Sequence, residues 1–207
     1  MVRPGVLGKQ QFPGLFLRDF VTLGGSLRRP EYLKAHDYNG GVETALREFR
    51  REDFDTLWQI DQECFAPGTA YSRLELAAYI RLRGAFTVVA ENLQDDGKPG
   101  VASLSEVLGF IVAQAKRSGV GHILTIDVLP AGRRIGVGSK LLATAEDRLR
   151  STGCSSVILE TAVDNSGALA FYKRQGYSVT RTIPRYYSNG VDAFVLEKEL
   201  HLSSPGK

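Results

Sequence analysis

A chain of 207 residues, 43% hydrophobic and 24% charged, has the length and apolar content of one α/β domain with a packed core. No apolar run approaches the roughly 18 residues of a membrane helix, and the N-terminal stretch lacks the continuous apolar segment of a signal peptide, so the expected location is the cytoplasm, with no membrane partner. A net charge of +3 suits a small polyanionic ligand but is too small to argue for nucleic acid, and three histidines with two cysteines at no metal-ligand spacing support neither a metal site nor a disulfide framework.

Residues 1–41 mix prolines, paired glycines (Gly24, Gly25, Gly40, Gly41) and short apolar patches with no sustained period, which predicts an irregular basic extension. The domain is then expected over 42–202, with a short tail at 203–207. Thr44 to Phe49 reads as a strand. Asp53 is the candidate cap of a helix that places Leu57, Ile60, Asp61 and Cys64 on one side. After Pro67-Gly68, a second helix is expected from Ser72 to about Arg83, its inward side formed by Leu76, Tyr79, Ile80 and Arg83. Two extended runs, Phe86 to Glu91 and Val107 to Ala115, flank the turn-forming Gln94-Asp95-Asp96-Gly97-Lys98-Pro99-Gly100. A third run, His122 to Val128, leads into Pro130 and a helix from about Gly138 to Arg150 that stops at Gly153. Ser156 to Val163 is a continuous apolar strand, hence central. A short helix from Ser166 to Gln175 ends at Gly176, and the strands Tyr177 to Thr182 and Ala193 to Leu200 flank Asn189-Gly190. The order β-α-α-β-β-β-α-β-α-β-β predicts a mixed α/β sheet with helices on both faces and no internal repeat.

Arg133-Arg134-Ile135-Gly136-Val137-Gly138 lies between a strand and a helix, followed by Ser139. Successive backbone N–H groups and the helix dipole can there converge on a diphosphate, and Gly136 and Gly138 let the backbone approach it closely. The segment lacks the third glycine of a dinucleotide fingerprint and the Gly-Lys-Ser/Thr of a Walker loop.

The segment resembles the pyrophosphate loop Arg/Gln-x-x-Gly-x-Gly/Ala of the GNAT superfamily of N-acetyltransferases, matched by Arg133, Gly136 and Gly138. The likeness extends upstream to Leu124-Thr125-Ile126-Asp127-Val128-Leu129-Pro130, similar to the family strand that splays from its neighbour and hydrogen-bonds pantetheine through its backbone, which implies that role for Ile126 and Val128. Downstream, Asn165 to Tyr177 resembles Asn-x-x-Ala-x-x-x-Tyr-x-x-x-Gly-Phe, with Tyr177 in place of the usual Phe. Within the superfamily the chain is most similar to RimI-type N-terminal acetyltransferases, through Ile158-Leu159-Glu160-Thr161, the Tyr172 helix and Arg185-Tyr186-Tyr187-Ser188-Asn189-Gly190-Val191-Asp192-Ala193. The loop Phe65-Ala66-Pro67-Gly68-Thr69-Ala70-Tyr71-Ser72 departs from the Phe-Pro-Trp-Ser of that group, which leaves the acceptor open.

The resemblance implies acetyl-CoA as cosubstrate and a GNAT acyltransferase fold. It also implies Glu160 as general base, with burial among Val157, Ile158, Leu159 and Ala162 expected to raise its pKa. Tyr172 becomes the acid that protonates the leaving sulfur and a cosubstrate contact, and Asn165 a pantetheine ligand or a helix cap. A backbone N–H near Val128 supplies the oxyanion donor. Tyr71, Asp127, Tyr186 and Tyr187 are the expected acceptor contacts, with hairpin packing as the alternative for Tyr186 and Tyr187 and a solvated or structural role as the alternative for Asp127; His122 receives no role. The expected acceptor is a protein N-terminus, the alternatives being a small amine, a lysine side chain or a module that binds acetyl-CoA without turnover. A monomer or homodimer is expected.

Overall fold

The computed structural model describes residues 44–65, 70–92, 106–187 and 189–200. The expected N-terminal extension, the Gln94–Gly100 turn, residues 66–69 of the loop from Phe65 to Ser72, and the tail lie outside these residues. Among the described residues seven strands form one sheet: β1 (Thr44–Glu48), β2 (Ala85–Asn92), β3 (Glu106–Ala115), β4 (Val120–Val128), β5 (Ser156–Ala162), β6 (Ser178–Ile183) and β7 (Ala193–Glu199). Their spatial order is β1-β2-β3-β4-β5-β7-β6, so β5 is interior, as its apolar run predicts. All neighbours are antiparallel except β4 and β5.

Four α-helices among the described residues cover the sheet. On one face α3 (Val137–Ser151) and α4 (Ser166–Arg174) bury Leu141, Leu142, Ala145, Leu149 and Phe171 against Ile111, Ile123, Ile126, Val157 and Leu159. On the other, α1 (Phe54–Cys64) and α2 (Arg73–Ile80) set Leu57, Ile60, Leu76 and Tyr79 against Val89, Phe110, Val112 and Leu124. The alternation Phe110/Ile111/Val112/Ala113 thus feeds two cores from one strand.

Three local expectations shift. Asp53 does not cap α1; its carboxylate takes the Arg50 backbone N–H (2.6 Å) and the Arg47 guanidinium (2.7 and 2.8 Å), closing a 3-10 turn at Arg51–Asp53. α2 starts behind Ser72, whose hydroxyl accepts from the Glu75 N–H in a capping box. It ends at Ile80, short of Arg83, because the chain must turn at Gly84 into β2; a Cβ there would lie 2.5 Å from the Ala115 carbonyl, at a φ of +80°.

β4 carries a bulge at Leu124: Val112 pairs with Thr125 but Ala113 with Ile123. Ile123 and Ile126, three residues apart, therefore pack in the same core. The extra residue also brings His122 and Asp127, five residues apart, to the same α1/α2 face, which strict alternation would forbid.

Candidate active site

β4 and β5 pair at three positions, Val120 with Ser156, Gly121 with Val157 and His122 with Ile158. Beyond His122 they part, β4 following β3 to Val128 while β5 follows β7 to Ala162. Leu129 donates its N–H to the Leu108 carbonyl (2.8 Å) on the β3 side. Since backbone groups alternate between edges in an antiparallel ladder, those of Ile126 and Val128 turn to the opening. An extended, amide-bearing ligand can add to such an edge as a strand does. The Val128 carbonyl accepts from Arg133 Nε (2.9 Å) and from the Cys64 thiol (3.5 Å).

The opening leads to the start of α3. Gly136 is the residue before the helix, at φ +92°, and its carbonyl accepts from Lys140 N–H (3.0 Å). The N–H groups of Val137, Gly138 and Ser139 therefore have no acceptor within the helix and carry its positive dipole end. A Cβ at Gly136 would meet nothing within 4 Å, and one at Gly138 would make ordinary contact with Phe171 at 3.6 Å. Nothing within the protein crowds either glycine, which fits a ligand lying against the loop from outside. Ile135 (45% exposed) and Arg134 project from it, whereas Arg133 turns inward to β4 and ties the loop down. Ser139 accepts a hydrogen bond from Gln175 (3.1 Å), joining α3 to the end of α4.

At the head of α4 the Asn165 Oδ1 accepts from Ala168 N–H (3.0 Å), so Asn165 is a cap. Its Nδ2 is buried with no partner, an amide donor available to a ligand carbonyl. Two turns on, Tyr172 is 2% exposed, its ring edge-on to Phe171 (5.2 Å) and Tyr177 (5.5 Å). Burial, aided by the charge of Asp127, pushes its hydroxyl well above the usual phenol range, so it stays a proton-bearing donor. Tyr177, the departure from Phe, has its own buried anchor: its hydroxyl donates to Glu146 (2.9 Å), which also holds Lys198 (2.5 Å).

On the α1/α2 face, His122 Nε2 stands 2.7 Å from Glu160 Oε2, where β4 and β5 begin to part. Burial alone would push the Glu160 carboxyl up, as expected from its neighbours. The hydrogen bond and charge of His122, with Lys116 and Arg181 nearby, outweigh burial and hold it below the usual range, so Glu160 is ionised. Tyr79 and the half-buried Tyr186 both lie close enough to feel that charge. Tyr71 (4% exposed) packs its ring against that of Tyr79, tilted by 56° with centroids 5.0 Å apart. Tyr187 (2% exposed) packs with Phe65, Ala162 and Ala193, and the loop before β7 is fixed by the Asp192 carboxylate accepting from Arg185 N–H (2.7 Å). Asp127 is enclosed (1% exposed), accepting from the Thr125 hydroxyl (2.8 Å).

The structure therefore brings Glu160, Tyr172, Asn165, the edge of β4 and the α3 loop around one opening. Tyr187 is placed in the core behind it. His122, Lys116 and Arg181 are additions that the sequence did not suggest; only the bulge, invisible to alternation, could have paired His122 with Glu160. Among the described residues no group of three or more His, Cys, Asp or Glu could hold a metal, and no helix is long and apolar enough to cross a membrane.

A splayed strand pair ending at an uncapped helix start, with a carboxylate on one face and a buried phenol on the other, defines an acyl-CoA-dependent transferase. The sequence pattern of the acetyltransferase (GNAT) family matches residues 45–177, and the chain belongs to that family. It is 30% identical over 155 residues to an uncharacterized N-acetyltransferase of Methanocaldococcus jannaschii, covering 74% of this chain and 90% of that protein. It is 36% identical over 74 residues to N-alpha-acetyltransferase 30 of Schizosaccharomyces pombe, a match spanning 36% of this chain and 49% of the relative. The crystal structure of the ribosomal-protein-S18-alanine N-acetyltransferase of Escherichia coli shares the fold, with a TM-score of 0.63 at 20% identity over 80% of this chain and 99% of that one. The chain is thus an N-acetyltransferase with acetyl-CoA as cosubstrate.

Proposed function

We propose that this enzyme acetylates the α-amine of protein N-termini in the manner of RimI-type enzymes. The observation that carries this reading is the ionised Glu160 held by His122 at the lip of the opening, with Tyr186 and Tyr79 close by on the acceptor side. The likeness to an enzyme named for N-alpha acetylation supports it. Ile126 and Val128 receive pantetheine along β4, Asn165 Nδ2 donates to one of its carbonyls, and the N–H groups of Val137, Gly138 and Ser139 meet the diphosphate. The Val128 N–H faces the position of the thioester oxygen and stabilises the negative charge that develops there. Glu160 takes the proton of the attacking amine, directly or through a water, while His122 fixes its orientation and offers a route onward. Tyr172 donates its proton to the departing sulfur.

A panel of peptides with free α-amines, peptides with blocked N-termini and free lysines, and small diamines, each incubated with acetyl-CoA and read by mass spectrometry, tests the acceptor. Acetylation confined to α-amines is expected. Preferential modification of lysines or small amines overturns the acceptor assignment, and release of no free thiol with any acceptor overturns turnover itself.

A further inference from the structure

The end of β4 lacks the support that the rest of the strand has. Among the described residues β5 pairs with β4 only as far as His122, so the groups that Val128 turns to the opening have no ladder partner. Each peptide unit is rigid, but a strand held along one edge can still rotate about the single bonds between units. The donor assigned to the thioester oxygen sits at this place, and such a donor is effective only if it is fixed before the charge develops.

Restraints come instead from outside that missing pairing. On the β3 side the Leu129 N–H donates to the Leu108 carbonyl (2.8 Å), and the Asp127 carbonyl lies so close to Gly109 that a Cβ there would come within 2.4 Å of its oxygen. On the opening side the Val128 carbonyl accepts from Arg133 Nε (2.9 Å) and from the Cys64 thiol (3.5 Å). Arg133 Nη2 in turn lies 3.9 Å from the same sulfur. The Val128 side chain is enclosed as well, since a Cβ on Gly132 would stand 3.0 Å from its Cγ1. Both peptide units that meet at the Val128 Cα are therefore seated, and with them the direction of the N–H between them.

The two donors arrive from separate elements. Arg133 follows the 3-10 turn Pro130–Gly132, in which the Gly132 N–H donates to the Leu129 carbonyl (2.9 Å) and the Arg133 N–H to that of Pro130 (3.2 Å). This turn folds the chain back, so that the guanidinium reaches a carbonyl on the strand it has just left. Cys64 is the last residue of α1, and burial pushes its thiol up to about 12, so it stays a proton-bearing donor at neutral pH. A guanidinium keeps its charge and donates a stronger hydrogen bond than a neutral group does. Arg133 opens the diphosphate loop in sequence, where a cation reads as a phosphate contact. In space its Nε and Nη2 face β4 and α1.

We propose that Arg133 and Cys64 are positioning residues: they hold the Val128 carbonyl in place of the absent neighbour strand and so aim the Val128 N–H at the thioester oxygen. Arg133 then serves acyl transfer rather than retention of the diphosphate. The inference rests on the oxyanion role given to the Val128 N–H above.

The test uses the full chain, acetyl-CoA isotopically labelled at the acetyl carbonyl carbon, and one saturating N-terminal peptide. Arg133→Met removes donor and charge, Arg133→Gln keeps an N–H donor without the charge, and Cys64→Ala removes the thiol. Infrared spectra without peptide read the thioester carbonyl, which a fixed donor shifts to lower wavenumber than in free acetyl-CoA. In Arg133→Met that shift should shrink and kcat should fall by about tenfold to a hundredfold, with acetyl-CoA affinity by calorimetry within about twofold of wild type. Arg133→Gln should restore most of both, and Cys64→Ala should move both in the same direction by a smaller amount. A wild-type band and kcat in Arg133→Met, with binding weakened about tenfold or more and less sensitive to salt, would make Arg133 a diphosphate ligand and overturn the proposal. Should Arg133→Met fold poorly, Arg133→Gln decides: positioning requires native affinity, whereas a diphosphate ligand requires weaker binding once the charge is gone. A bound wild-type band that coincides with free acetyl-CoA is a separate failure, because it removes the oxyanion donor itself.

Discussion

Replacing Gly136 separates backbone strain from charge at the diphosphate loop. The residue sits at φ +92° with nothing within 4 Å of a built Cβ, so any side chain is strained by its backbone but not by a clash. The left-handed conformation costs an L-residue about 1 to 2 kcal/mol, and Gly136→Ala and Gly136→Glu should both lose about that much stability, a few degrees in Tm. Only glutamate adds charge. A carboxylate about 6 Å from a diphosphate bearing two negative charges repels it by about 1.4 kcal/mol at the dielectric of water and by about 3 kcal/mol at half that value. Those energies weaken acetyl-CoA binding by about tenfold to a hundredfold. Calorimetric titration of both variants, with thermal unfolding alongside, checks this. Equal affinity for the two variants would refute the placement of the diphosphate, whatever the change in stability.

Three further outcomes are expected. His122→Ala removes the hydrogen bond and charge that hold the Glu160 carboxyl low and leaves its burial, so the acid limb of kcat/KM should move to higher pH; a stationary limb would show that His122 does not tune the base. Asn165→Asp keeps the oxygen that caps α4 but loses the orphan Nδ2 donor, so acetyl-CoA should bind more weakly with little change in melting temperature, whereas Asn165→Ala should also lose about 1 kcal/mol of stability. The raised pKa values of Asp61 and Asp127 give stability that is complete below the unfolded carboxyl range and lost as pH rises through the folded values; Asp127→Asn should therefore stabilise the fold more at about pH 8 than at about pH 5, and equal shifts in denaturant midpoint at the two values would contradict it.

Much of the fold could be read from periodicity and punctuation. The strand before Pro130, the helix ending at Gly153 and the apolar run at Ser156 each satisfy a local rule, and each appears within a residue or two of its expected bounds. Gly136 and Asn165 were readable for the same reason, since a left-handed helix entry and a cap are properties of short segments. What escaped depends on long-range contacts. Asp53 has the right residue type to cap a helix, but Arg47, brought beside it by the first strand, claims its carboxylate. Burial of Glu160 could be inferred from its apolar neighbours, yet the sign of its pKa shift is set by a residue on another strand. Asp127 looked like a group facing an acceptor because alternation says only which face it takes, not that α1 closes over it with a second acid.

The bulge at Leu124 links these omissions into one physical account. Without it His122 would point toward α3 and could not meet Glu160, and the α1/α2 face of the opening would hold a buried carboxylate with no partner to keep it ionised. With it, the same face carries two buried carboxyls of opposite character: Glu160 lowered by a histidine, and Asp127 raised by burial and by the nearby Asp61. Environments that push neighbouring carboxyls apart are how one site can accept a proton and supply another at a single pH. One inserted residue in one strand therefore decides which side chain meets Glu160 as well as the shape of the sheet.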